Sequence, residues 1–149
     1  MDKTYRGFEE LEVWREARKF RHAVYALTKK LPAEENFVLL PQMRRAALSV
    51  TNNIAEGHGR YHYQENTQFL RVARGSLEEV LDDLTVCENE SYAPAETLQQ
   101  LRNQEASVER LINGEIRYLL NQKATTGVRE TPAEYATDSQ SPITVHQSP

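Results

Sequence analysis

Apolar residues recur every three or four positions along most of the chain, and they form four separate rows. Such spacing keeps side chains on one face of a helix with about 3.6 residues per turn. The first two rows are Val13, Ala17, Phe20, Val24, Leu27 and Leu31, and Met43, Ala47, Val50 and Ile54. The other two are Leu70, Ala73, Leu77, Val80, Leu84 and Cys87, and Leu98, Leu101, Val108, Ile112, Ile116 and Leu119. The rows predict four amphipathic helices with a shared core.

Proline and glycine positions indicate where these helices begin and end. The predicted helices cover about residues 8–31, 41–57, 63–90 and 95–123. Pro41 suits the first position of the second helix, because no N–H is needed there. Gly57 and Gly59 suit its end, because glycine adopts the left-handed closing conformation without penalty. Gly75 lies inside the third helix, where glycine costs about 1 kcal/mol relative to alanine, so we expect another helix to approach closely there.

No stretch of the chain shows the alternation of a β-strand, so the four helices define the fold class. The sequence predicts an all-α, antiparallel up-and-down four-helix bundle over residues 8–123. Residues 1–7 form an N-terminal extension in this interpretation. Residues 124–149 are rich in Thr, Ser, Pro and Gln with few apolar residues, a composition that predicts disorder.

The composition is that of an ordinary globular domain, with 39% hydrophobic and 27% charged residues in 149. Cys87 is the sole cysteine, which excludes an intrachain disulfide and suits a reducing compartment. No apolar run is long enough to span a membrane, and the N-terminus has no apolar signal-peptide core. These features predict a cytoplasmic protein without a membrane partner.

Charge is distributed unevenly along the chain. Residues 1–75 carry 13 Lys and Arg against 9 Asp and Glu, whereas residues 76–149 carry 5 against 13. A basic face can therefore coexist with the net charge of −4. Such a face is predicted on the first helix, where basic side chains form a strip about 20 Å long at 1.5 Å per residue. The strip consists of Arg15, Lys19, His22 and Lys29, with Arg18 and Arg21 adjacent.

RNA is one candidate partner for this strip, and a solvated helix face is the simpler interpretation. The segment Arg60–Tyr63 adds basic and aromatic side chains in a loop, a combination that can stack on unpaired bases. The candidate nucleic-acid-binding residues are Arg15, Arg18, Lys19, Arg21, Lys29, Arg60 and His62. The alternative for the loop is that its tyrosines cover the end of the bundle.

A second set of charged residues lies beside the apolar rows of the second and third helices. Because isolated buried charges are costly, these residues are expected to pair within the bundle. The predicted pairs join Arg44 or Arg45 to Glu79, and Arg74 to Glu56. The arginines could instead contact phosphate, whose oxygens match a guanidinium group.

The first helix also carries apolar residues outside its main row, namely Leu11, Trp14 and Tyr25. They make its apolar surface wider than one neighbour requires. We therefore expect these three residues to contact another subunit of a homo-oligomer.

The sequence gives no arrangement that predicts catalysis. It has no phosphate-binding glycine loop and no Ser-His-acid order, so no catalytic residue, cofactor or small-molecule substrate is predicted. His58 and His62 are four residues apart near Glu65. Because glycines flank His58, this spacing is insufficient for a metal site. A small hydrolase is a third hypothesis. It would require an enzymatic activity that disappears when Glu56 or His62 is changed, and no such activity is expected.

Three segments resemble the 23S rRNA intervening-sequence protein family. They are FEELEVW at 8–14, QMRRAALSVTNNIAEG at 42–57 and FLRVARGSLEEV at 69–80, and the resemblance extends over residues 8–123. It implies a four-helix bundle that assembles into a homopentamer. The family's name refers to inserts in ribosomal RNA genes and does not specify an activity. A related bundle, the accessory variability determinant of diversity-generating retroelements, is a homopentamer that binds RNA and a reverse transcriptase.

Two functions follow as hypotheses. The first is a non-enzymatic, homo-oligomeric scaffold that serves as an accessory protein for RNA or for the reverse transcriptase of a diversity-generating retroelement. The alternative is a protein-binding adaptor without a nucleic-acid role, which would recruit its partner through the tail or the acidic third and fourth helices.

Overall fold

Four long helices bring the apolar rows of the sequence together. The computed structural model of the chain describes residues 7–126. The α-helices are α1 at Glu12–Thr28, α2 at Leu39–His58, α3 at Tyr63–Asn89 and α4 at Ala95–Thr126. Short 3-10 helices at Gly7–Glu10 and Ala33–Glu35 precede α1 and α2. The predicted tail falls outside the described residues, except that residues 124–126 belong to α4.

Each helix packs beside its neighbours in the chain, and α4 closes the arrangement against α1. All members of the four predicted rows are buried in one core. The predicted all-α four-helix bundle is therefore confirmed. The burial has a simple cause, since each helix has one apolar face and only the shared interior can remove all four faces from water.

The start of α2 differs from the prediction by two residues. The helix begins at Leu39, so Pro41 is the third helical residue and not the first. Proline is tolerated there because the first four N–H groups of a helix have no partner within it. The Leu39 N–H is one of these four groups, and it donates a hydrogen bond to Glu35 Oε1 at 3.4 Å.

Both glycine predictions were wrong about the reason for the residue. Gly57 is a buried residue within α2, and Gly59 is the residue that caps the end of the helix; neither adopts the left-handed conformation. A Cβ at this position would lie 2.8 Å from both Asn66 Oδ1 and Phe69 Cβ, so Gly57 lets α3 approach α2. The close approach expected at Gly75 is absent within the described chain, where a Cβ would meet nothing within 4 Å.

The two glycines therefore give opposite predictions for the same substitution. Gly57→Ala should lower the free energy of unfolding by about 1–2 kcal/mol, because overpacking costs about 1–3 kcal/mol and outweighs the helix-propensity gain. Gly75→Ala should raise it by about 0.5–1 kcal/mol, because its position is open and helical. Urea unfolding followed by circular dichroism measures both. Equal stabilisation by the two substitutions would contradict the close approach of α2 and α3.

Candidate functional site

The outward face of α1 carries the basic strip that the sequence predicts. We call this surface the α1 basic face, formed by Arg15, Arg18, Lys19, His22 and Lys29, all of which are exposed. Arg15 Nε donates to the Glu9 carbonyl at 3.0 Å, and Lys19 Nζ pairs with Glu16 Oε1 at 3.2 Å. No side-chain hydrogen bond or ion pair joins the other three to any residue that the structure describes. The charges of Arg18 and Lys29 are therefore available to a partner.

Arg21 differs from the rest of the predicted strip. It is half-buried, and its Nη1 donates to Thr51 Oγ1 of α2 at 2.8 Å. A hydrogen bond from a charged donor contributes more than one between neutral groups. Arg21 therefore holds α1 against α2, whereas it was predicted from the sequence to bind nucleic acid.

A surface cleft lies at the beginning of α1. It has a volume of about 560 Å³ and is lined by Glu9, Glu10, Trp14, Arg15 and Arg18. Trp14 is half-buried against the core, and the ring of Phe8 meets it edge to face with the centroids 5.1 Å apart. The cleft thus places an aromatic ring, two cations and two carboxylates together in one lining.

The predicted oligomer contacts are all half-buried within the chain. Leu11, Trp14 and Tyr25 pack against the core, and the Arg44 guanidinium covers the Tyr25 ring at 5.1 Å from its centroid. Leu48 of α2 is 40% exposed. Its carbonyl accepts a hydrogen bond from the Thr51 hydroxyl, and Thr51 in turn accepts one from Arg21 of α1. We call Leu11, Trp14, Tyr25 and Leu48 the α1–α2 edge. Its apolar surface is smaller than the sequence indicates, because Phe8 and Arg44 cover part of it.

Arg60 uses its charge within the chain. Its Nη2 lies 2.6 Å from Glu56 Oε1, its Nε lies 4.0 Å from Glu65 Oε2, and its guanidinium lies over the Phe69 ring at 4.9 Å from the centroid. Tyr61 is exposed, and its ring meets that of His62 edge to face at 5.0 Å. This loop lies at the same end of the bundle as the beginning of α1, because α1 and α2 are antiparallel.

Of the two predicted internal charge pairs, the pair with Glu79 is present and the pair between Arg74 and Glu56 is not. Arg45 Nη2 lies 3.6 Å from Glu79 Oε2, with both side chains exposed. Arg74 does not pair with Glu56. It donates to Asn113 Oδ1 of α4 at 2.8 Å, because its side chain extends from α3 toward α4.

Arg44 makes the contact that ties α2 to α1. Its Nε donates to Thr28 Oγ1 at 2.9 Å, while Thr28 itself donates to the Tyr25 carbonyl at 2.7 Å. The same guanidinium covers the Tyr25 ring, a cation–π contact. Arg44 and Arg21 therefore connect the same two helices, each through a threonine hydroxyl, and Arg44 does not pair with the predicted Glu79.

Two buried carboxyl groups were missed from the sequence. Asp83 is 2% exposed, and Gln42 Nε2 donates to its Oδ1 at 3.4 Å. Burial raises the pKa of Asp83 to about 6, since removal from water penalises the charged form. Glu105 is 4% exposed, and burial, with Glu109 and Glu78 nearby, raises its pKa to about 7. The signal for Glu105 was the empty position between Leu101 and Val108 in the fourth apolar row.

The opposite end of the bundle is closed by a contact between two loops. Tyr92 donates its hydroxyl hydrogen to Glu35 Oε2 at 2.7 Å, which raises the pKa of Tyr92 to about 12. Cys87 is buried in the core nearby, and burial raises the pKa of its thiol to about 11. A thiol that stays protonated at neutral pH is a poor nucleophile. Cys87 thus acts as a small core residue.

None of the helices between residues 7 and 126 combines the length and apolar character needed to cross a membrane. His58 and His62 do not belong to a group of three potential metal ligands in this part of the chain. Such a group forms instead from Glu78, Glu105 and Glu109.

Comparison with known proteins agrees with the fold. A family model described as 23S rRNA-intervening sequence protein matches residues 9–114. The structure is similar to the crystal structure of a protein of unknown function from the S23 ribosomal protein family of Bacteroides thetaiotaomicron, with a TM-score of 0.65 and 21% sequence identity. The similarity covers 70% of this chain and 97% of the Bacteroides chain. No curated protein matches the chain.

Proposed function

Because this chain belongs to the 23S rRNA-intervening sequence protein family, we propose that it is a non-enzymatic, homo-oligomeric scaffold that binds RNA. It would act in the cytoplasm as an accessory protein for RNA or for an RNA-dependent enzyme. The observation that carries this proposal is the α1 basic face, in which Arg18, His22 and Lys29 have no partner among the described residues. Neither the family description nor that of the Bacteroides protein names a catalytic activity.

The geometry of α1 suits a single-stranded RNA backbone. The α1 basic face extends for about 20 Å along the helix axis, which is long enough to follow several phosphates. The Trp14 cleft lies beside it, and an aromatic ring flanked by guanidinium groups can stack an unpaired base. Arg15 and Arg18 line the cleft as well as the basic face, so one strand could contact both surfaces.

Self-association would place several copies of this face on one particle. The α1–α2 edge is the proposed contact between subunits, and five copies are expected from the resemblance to the pentameric family. Repeated basic faces would bind a long RNA more tightly than one face, because each later contact is intramolecular. The reverse transcriptase of a diversity-generating retroelement is the proposed enzyme partner, on the same resemblance.

RNA binding can be tested by reversing charges that have no structural role. Arg18→Glu with Lys29→Glu should weaken binding of a fluorescent single-stranded RNA of about 20 nucleotides by at least tenfold at low salt. The matched control is Arg71→Glu with Arg117→Glu, which makes the same charge change at exposed positions of α3 and α4. Fluorescence anisotropy with the full chain measures both. Equal weakening by the two double variants would show attraction by net charge alone and reject the α1 basic face.

Self-association has its own test at the α1–α2 edge. Light scattering of the full chain should give a mass several times that of the 17.2 kDa subunit, and Leu48→Glu should reduce it. Leu48 is partly exposed, so the substitution spares the core. Val72→Glu, at a 53% exposed position on α3, is the control that should leave the mass unchanged. A monomeric wild-type protein at micromolar concentration would refute the oligomer.

A protein-binding adaptor is the second candidate, and one observation favours it. Phe37 is 92% exposed and Val38 is 68% exposed in the connection between α1 and α2. Adjacent exposed apolar side chains are typical of protein contact surfaces. Undetectable RNA binding at low salt, together with loss of a protein partner on Phe37→Ser, would favour the adaptor over the RNA scaffold.

A further inference from the structure

Glu105 occupies a position that the bundle would be expected to fill with an apolar residue. Leu98, Leu101, Val108 and Ile112 are buried on α4, and residue 105 falls on the same face, since it completes a row with spacings of 3, 4, 3 and 4. The side chain there is only 4% exposed. An isolated carboxylate in such a place is costly unless it has a partner. An ionised Glu105 carboxylate therefore requires a positively charged partner nearby.

The neighbours of Glu105 do not supply one within the described chain. One carboxylate oxygen from each of Glu78, Glu105 and Glu109 lies within 4.8 Å of the other two. We call these residues the acidic cluster. Glu105 Oε1 is buried without a hydrogen-bond partner. No Lys or Arg that the structure describes forms an ion pair with any member of the acidic cluster.

We propose that the acidic cluster binds one divalent metal cation between α3 and α4. Two of the ligands, Glu105 and Glu109, are one turn apart on α4, and Glu78 faces them from α3. Glutamates from facing helices are a common source of metal ligands in four-helix bundles. The site is accessible, because Glu78 is exposed and Glu109 is half-buried, while Glu105 closes it on the core side.

The donor set specifies the class of cation. All three ligands are carboxylate oxygens, with no imidazole or thiolate in the cluster, and such oxygens suit Mg²⁺, Mn²⁺ or Ca²⁺. Three carboxylates leave room for water in the remaining coordination positions, as Mg²⁺ and Mn²⁺ prefer. The site is separate from the α1 basic face, so the metal proposal does not depend on RNA binding.

A proton is the competing solution, because protonation of Glu105 would also relieve the repulsion among the three carboxylates. The two solutions respond differently to added metal. A bound cation stabilises the folded chain by an amount that rises with the logarithm of its free concentration once that concentration exceeds Kd. A shared proton gives no such dependence, and metal at neutral pH would then leave the unfolding temperature unchanged.

The test titrates Mn²⁺ into the full chain after removal of metals with EDTA and dialysis. Electron paramagnetic resonance of the free ion should show one Mn²⁺ bound per chain at concentrations below about 1 mM, with a parallel rise in unfolding temperature. Glu105→Gln should weaken binding at least tenfold. Glu109→Gln, at a half-buried position, gives the same test should Glu105→Gln fail to fold.

Glu96→Gln serves as the matched control, because it removes one exposed carboxylate from α4 outside the acidic cluster. It should leave Mn²⁺ affinity within about twofold of the wild type, since isolated surface charges contribute little. Absence of Mn²⁺ binding by the wild type would overturn the proposal. So would binding that Glu105→Gln and Glu109→Gln weaken no more than Glu96→Gln, because that pattern indicates non-specific attraction to an acidic protein.

Discussion

Replacing Phe20 with alanine should lower the free energy of unfolding by about 3–5 kcal/mol, the largest effect expected from a single substitution in this chain. Phe20 lies on α1 with no exposed surface, among the largest buried side chains of the core. Removing its ring loses the burial of apolar surface and leaves a cavity that the four helices cannot fully close. Urea unfolding followed by circular dichroism, at one fixed protein concentration, gives the free energy.

Phe37 provides the matched control for the same chemical change. It is 92% exposed in the connection between α1 and α2, so Phe37→Ala should change the free energy by no more than about 0.5 kcal/mol. A similar loss at both positions would contradict the proposed burial pattern. A loss at Phe37 that grows with protein concentration would instead place Phe37 in a contact between subunits.

Asp83→Asn should stabilise the bundle at pH 8 by about 1–3 kcal/mol, which is the second large effect. Burial raises the pKa of Asp83 from its usual 3.8 to about 6. Between these values the folded chain keeps a proton that the unfolded chain releases, so stability falls as pH rises from about 4 to about 6 and then levels off. Asparagine has nearly the same shape and carries no charge at any of these pH values.

The Asp83 prediction is measured as the difference between variant and wild type across pH. The advantage of Asp83→Asn should be small near pH 4 and reach its full size above pH 6. Asp82→Asn makes the same change at the adjacent exposed position and should have an effect within about 0.5 kcal/mol at every pH. An Asp83→Asn variant that is less stable than wild type at pH 8 would show that the carboxylate is stabilised by its surroundings.

The fold could be predicted from the sequence because burial in a bundle follows helical periodicity directly. Every residue of the four apolar rows is in the core, from Val13 on α1 to Leu119 on α4. Helix boundaries follow from the sequence only to within a few residues, as Pro41 illustrates, since a proline fits any position in the first turn. The structural reason for a glycine within a helix does not follow from the local sequence. Close approach at Gly57 depends on the position of α3, which local sequence does not contain.

The contacts of charged residues could be predicted only in part. Arg18 and Lys29 are exposed as expected, since they lie opposite the apolar row of α1. Arg21, only three residues beyond Arg18, turns to α2 because Thr51 offers an acceptor there. A long side chain at the boundary of a helix face can extend into solvent or contact a neighbouring helix, depending on which hydrogen-bond acceptor lies within reach.

The buried carboxyl groups show a further limit of periodicity. A missing apolar residue between Leu101 and Val108 signals an exception on the core face, but the pattern does not reveal that Glu78 approaches from α3. That approach depends on the register between two helices, which packing of the whole bundle determines. The acidic cluster therefore became apparent only with the structure.

The salt dependence of RNA binding tests the central claim, that the α1 basic face binds an RNA backbone. Anisotropy titrations of the full chain should give a log–log slope of affinity against salt of about −3, as expected for four cations that each neutralise one phosphate of a single strand. Arg18→Glu with Lys29→Glu should make the slope shallower by more than one. A wild-type protein that does not bind RNA at low salt, or a slope that this double variant leaves unchanged, would contradict the account.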